Sequence, residues 1–115
     1  MRITLLSIAA LLGACALTPQ GVRETGTRFE FQLAKAPEAA AWCIARNAEE
    51  MSVFNWAATV RPAASPGGFE VIVRVGGADV FAVAQVPATG RTTIWIRRQY
   101  IFSHEGAAKE MIAGC

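Results

Sequence analysis

The sequence predicts an α+β domain with the element order β-α-β-β-β-β-α, an antiparallel sheet with two helices packed on one face. Three observations predict it. The apolar period is two over residues 27–33, becomes helical over 37–51, and returns to two from Ser52 through four short segments. The breaks between those segments are brief and rich in Gly and Pro, which favours antiparallel neighbours. A capped stripe of small and apolar residues then closes the chain.

The elements follow in order. In 27–33, Phe29, Phe31 and Leu33 share one face and Arg28, Glu30 and Gln32 the other, the pattern of a half-buried strand. Pro37 suits a first helical turn, Glu38 adds favourable charge there, and Ala40, Cys43, Ile44, Asn47 and Met51 recur at helical spacing. Turn-rich stretches at 62–68, 76–79 and 87–90 divide the following segment into strands 53–61, 69–75, 80–86 and 91–98. Phe69, Val71, Val73 and Val75 alternate with Glu70, Ile72 and Arg74, and 80–86 is apolar almost throughout, as a central strand requires. Ser103 caps the last helix, with Glu105 in its first turn and Ala107, Ala108, Met111, Ile112 and Cys115 along its inward stripe. This order is similar to the β-α-β4-α arrangement of the TATA-binding-protein-like fold and its helix-grip relatives. The similarity is one of order alone, so it implies a shape and no activity.

The N-terminus supplies an address. Met1-Arg2 and the apolar run from Ile3 to Leu12 read as a secretory signal over residues 1–14, too short to span a bilayer stably. Leu12-Gly13-Ala14-Cys15 resembles the lipobox of bacterial lipoproteins, in which a branched apolar residue and two small ones precede the cysteine that becomes the new N-terminus. The resemblance covers the first 15 residues and implies a diacylglyceryl thioether and an acylated amine on Cys15, an effectively permanent anchor. Ala16 is not the Asp of inner-membrane retention in enteric-type bacteria, so the resemblance implies the outer membrane, facing the periplasm. Residues 15–26, with Pro19, Gly21 and Gly26 and no apolar period, read as lipidated cysteine and flexible tether, and 27–115 as one domain.

The periplasm that this resemblance implies is oxidising, and Cys43 and Cys115 are the thiols left after lipidation. They have one intramolecular connectivity, and such a long closed loop is expected to contribute roughly 4 kcal/mol in the chain-entropy account. A reactive thiol at Cys43 is the alternative, but no base adjoins it in sequence.

Composition excludes more than it assigns. The chain is 53% hydrophobic, with 11 basic and 9 acidic residues, and loss of Arg2 with the signal brings the domain close to neutrality. That disfavours nucleic acid as a partner. One His, one Asp and two cysteines expected in a disulfide give neither a metal-ligand spacing nor a triad, so no metal, cofactor or catalytic residue is assigned. His104 and Glu105 are neighbours at a helix start, but adjacent helical positions do not face one another. Gly67-Gly68 and Gly76-Gly77 read as turns.

One constellation resists a bland explanation. With Ile94 and Ile96 inward, Trp95 points outward with Thr93 and Arg97, and Ile72 with Arg74 shares that face. An open sheet face bearing Ile72, Arg74, Trp95 and Arg97 would form a protein-binding patch, because Trp and Arg are enriched at interface hot spots. Trp42, off the inward stripe of its helix, is a second, weaker anchor. The expectation is therefore a non-enzymatic binding or accessory lipoprotein of the cell envelope with an envelope protein as partner. An inhibitor or immunity lipoprotein against a periplasmic hydrolase or toxin, and a binder of a small apolar or lipid ligand, are the alternatives.

Overall fold

The computed structural model describes residues 18–51, 56–98 and 103–115. Its fold is α+β. Strands β1 (Thr27–Phe31), β2 (Trp56–Pro62), β3 (Phe69–Val75), β4 (Asp79–Val86) and β5 (Thr92–Ile96) form a sheet of order β1-β5-β4-β3-β2 in which every neighbouring pair is antiparallel. Helices α1 (Pro19–Thr25), α2 (Pro37–Glu50) and α3 (His104–Ile112) flank it. The strand expected over 53–61 is described from Trp56, its earlier part lying outside the described residues, and β5 is shorter at both ends than 91–98.

The four strands from β2 to β5 form the expected meander, and β1 pairs with β5 at the far edge. The chain must therefore cross the whole sheet between β1 and β2, and α2 makes that crossing. Its 14 residues extend about 21 Å, against roughly 19 Å for the four inter-strand steps.

The main core lies between the sheet and helices α2 and α3. Small residues Ala40, Ala41, Ala45 and Ala48 of α2 let the helix approach closely, and Ile44 with the larger sheet residues Phe81, Ile94 and Ile96 fills the space, all fully buried or nearly so. Ala107, Ala108 and Met111 bring α3 onto the same core. The β3–β4 register shifts: Val73 pairs with Ala82 and Arg74 with Val80, leaving Phe81 as the additional residue. This bulge places Phe81 and Ala82 together in the helix-side core, where the Phe81 ring meets Trp56 at 4.5 Å between centroids.

The chain end is knitted to α2. Cys43 and Cys115 stand as a disulfide pair with Cα atoms 5.7 Å apart. One turn further along α2, the Asn47 amide donates to the carbonyls of Met111 and Ala113, both at 2.9 Å, and so satisfies acceptors left over at the end of α3. The backbone N–H of Lys35 donates to the Cys115 carbonyl at 2.9 Å.

The N-terminal segment departs from the sequence reading. Residues 15–26 are not a flexible tether throughout, because Pro19–Thr25 is a helix and Val22 within it is fully buried. Thr18 caps it, its hydroxyl accepting from the Gly21 N–H at 3.0 Å, and Pro19 occupies the first turn. Seven residues hold too few turns to show an apolar period, and a helix so short is stable only through what it packs against. Helix α1 lies on the sheet face opposite α2 and α3, so helices cover both faces rather than one.

Candidate interaction surface

Strict alternation in β3 sends Val71 and Val73 to the main core and Glu70, Ile72 and Arg74 to the opposite face. Pairing then extends each position into a row. One row runs Thr59, Ile72, Val83, Trp95, Arg28 from β2 to β1, and its neighbour runs Arg61, Glu70, Gln85, Thr93, Glu30. The first is apolar at its centre; the second is polar throughout.

Helix α1 lies over both rows. Val22 packs with Ile72, Val80 and Val83 in a second, smaller cluster that Trp95 borders. The next residue, Arg23, sets its guanidinium 5.6 Å from the centre of the Trp95 ring and forms an ion pair with Glu70. Glu70 is 4% exposed. Its other oxygen accepts from Arg61, so one buried carboxylate is held between two guanidinium groups. Burial, and then the charge of Arg61, lower the pKa of Arg23 from its ordinary value, and its Nε is buried without a hydrogen-bond partner among the described residues. Gly26 closes the helix against β5: a β-carbon there would sit 2.5 Å from the Val22 carbonyl oxygen and 2.9 Å from that of Ile96.

These contacts place the residues singled out from the sequence. Ile72 and Trp95 do share a row, bridged by Val83, but the face is not open: α1 covers it and leaves Ile72 only 3% exposed. Arg74 follows Ile72 on the same face, half-buried. Arg97, just beyond β5, donates its backbone N–H to the Phe81 carbonyl, and its guanidinium lies 3.9 Å from Asp79. Cys15 lies outside the described residues, and Cys43 and Cys115 are the disulfide pair. The residues that sequence reasoning did not single out are Val22, Arg23, Arg61 and Glu70. The Thr18-Pro19 pair is a legible helix start, but nothing local showed where that helix would dock.

Trp42 has the opposite fate. It projects from α2 away from the core and is 52% exposed, the exposed large hydrophobic side chain among the described residues. Glu38 and Arg46, one turn to either side, are also exposed.

The titratable neighbours at the start of α3 are engaged separately. His104 Nδ1 is 2.9 Å from the Thr27 hydroxyl, whereas Glu105 pairs with Lys109 one turn on, at 3.2 Å. Among the described residues no group of three His, Cys, Asp or Glu side chains is placed to hold a metal ion, and no helix is long and apolar enough to cross a membrane. A cleft of about 200 Å³ lies at the β4–β5 turn, lined by Leu33, Lys35, Pro37, Pro87, Thr89 and Thr92 among others. No known protein family, curated protein or solved structure matches the chain.

Proposed function

We propose that this chain is a lipid-anchored, non-enzymatic binding module of the bacterial cell envelope, held at Cys15 and facing the periplasm from the outer membrane. The observation that carries the reading is the run Leu12-Gly13-Ala14-Cys15, set a few residues ahead of the helix that Thr18 caps. A permanent anchor gives a small domain a high effective concentration for partners in the same compartment. The partner is an envelope protein, and Trp42 is its anchor point. An exposed Trp supplies a large contact area at a low cost in side-chain entropy, and here it stands on a helix whose other face is locked to the sheet.

The patch read from the sequence at Ile72, Arg74, Trp95 and Arg97 would engage a protein only after α1 moved aside, so Trp42 takes precedence over Trp95. Between sheet and helices Ile44, Phe81, Ile94, Ile96 and Met111 are fully buried, which supports a protein partner ahead of a small apolar ligand held there.

Photoreactive side chains at Trp42 and Trp95 of the tagged, full-length protein in intact cells test this. A dominant envelope protein cross-linked from position 42 and not from 95 is expected. A specific partner at 95 alone would return the binding surface to the sheet face, and a specific partner at neither site would overturn the binding-module reading.

A further inference from the structure

The packing of α1 fixes how far the domain can stand from its anchor and which side it turns toward it. Between Cys15 and Thr18 lie only Ala16 and Leu17. Even fully extended, that linkage spans roughly 11 Å. Because α1 lies on the sheet face opposite α2 and α3, Thr18 at its start stands on that side of the molecule. A domain so closely tied has no freedom to turn its far side to the bilayer without lifting α1 away from the surface.

Charge is distributed in the same sense. The α1 side of the sheet carries Arg23, Arg28, Arg61, Arg74 and Arg97. Of the carboxylates around them, Glu70 is engaged by Arg23 and Arg61, Glu30 by Arg28 and Asp79 by Arg97, while Glu24, exposed on α1, accepts from the Gln20 amide, so the balance on this side is positive but small. Arg28 and Arg61 still keep more than half of their side chains exposed, at 60% and 56%. The helical layer has the opposite balance. Glu38, Glu49, Glu50, Glu105 and Glu110 there outnumber Arg46 and Lys109. The domain thus has an arginine-bearing side at its anchor and an acidic side away from it.

Resting on the lipoprotein reading above, we propose that the α1-bearing side of the sheet is the membrane-facing surface of this domain, with Arg28 and Arg61 against anionic phospholipid phosphates and the helical layer with Trp42 presented to the periplasm. Guanidinium groups suit this contact because their paired N–H donors match phosphate oxygens. The anchor supplies the attachment; the arginines select the orientation. Attraction to an anionic surface is of the order that biases orientation several-fold for each cation brought near it, and salt weakens it.

The test is residue-resolved footprinting with an arginine-selective dicarbonyl reagent on the full-length, lipidated protein in vesicles of phosphatidylethanolamine and phosphatidylglycerol, with the same protein in neutral detergent as reference. Arg46, exposed on α2, is the internal control. Modification of Arg28 and Arg61 is expected to slow roughly threefold or more on vesicles relative to Arg46, and high salt to reduce the difference. Equal protection of Arg46, or no protection of Arg28 and Arg61, would overturn the orientation while leaving the lipoprotein reading intact. The mass of the N-terminal peptide from the same digest separates the two: a Cys15 without lipid would overturn both.

Discussion

Glu70 is a carboxylate taken out of water between two guanidinium groups, and its surroundings decide what its loss would do. Arg61 is more than half exposed, so water already screens its share of the attraction, whereas Arg23 lies over Trp95 and is 28% exposed, about half as much. Glu70→Gln should therefore lower unfolding stability by about 1–3 kcal/mol, because it leaves the Arg23 charge without its counter-ion in a partly desolvated site. Arg61→Gln should cost under about 1 kcal/mol. Urea unfolding of the two variants checks the order. An equal loss for both would show that the pairs contribute alike and that burial of Arg23 is immaterial.

At the scale of elements, α1 is the part whose stability is borrowed. Its seven residues cannot form a lasting helix alone, and Val22 is the apolar side chain that it buries fully. Val22→Ala removes two methyl groups from the cluster with Ile72, Val80 and Val83 and should cost about 1.5–3 kcal/mol. Its consequences should be local, because α2, α3 and their core lie across the sheet. The expected signature is faster hydrogen exchange of the Val22 and Gly26 amides, which close α1, with amides of β3 and β4 little changed. Uniform acceleration across the sheet would instead make α1 an integral part of the cooperative unit. Helix α2 is the contrasting element, held by an Ala-lined face, the Asn47 bonds and the disulfide, and it is the rigid platform for Trp42.

For the whole molecule, the disulfide joins the element that crosses the sheet to the last residue, across a sequence separation of 72. Cys43→Ser with Cys115→Ser should destabilise the domain by about 2–4 kcal/mol, chiefly by restoring freedom to the unfolded chain. Reduction of the unsubstituted protein should bring its urea midpoint to that of the double variant. A midpoint indifferent to reductant would show that Lys35, Asn47 and the buried face of α3 suffice to hold the end in place. The molecule is also sided: an acidic helical layer with an exposed Trp opposes a sheet face with most of the arginines, and α1 lies on the latter. Proposed anchoring and proposed recognition thereby fall on opposite sides and need not compete.

How much of this was legible follows from the range over which each feature is decided. The alternation of Phe69 to Val75, the capped stripe after Ser103 and the Pro37 helix start are local patterns, and each became the element that its period required. The pairing of Cys43 with Cys115 was accessible because few thiols leave few choices. Alternation also put Ile72 and Trp95 on the same face of their strands. Three further matters were decided by tertiary structure. Residues 19–25 form a docked helix because a face fifty residues and more away in sequence offers Val22 a place and Glu70 offers Arg23 a charge. The bulge at Phe81 arises because both Phe81 and Ala82 are drawn into one core. Covering of the Ile72–Trp95 row follows from the first of these. Periodicity reports which side of an element is apolar, since neighbouring residues set it. What lies against that side depends on contacts between distant segments, and those exist only once the chain has folded.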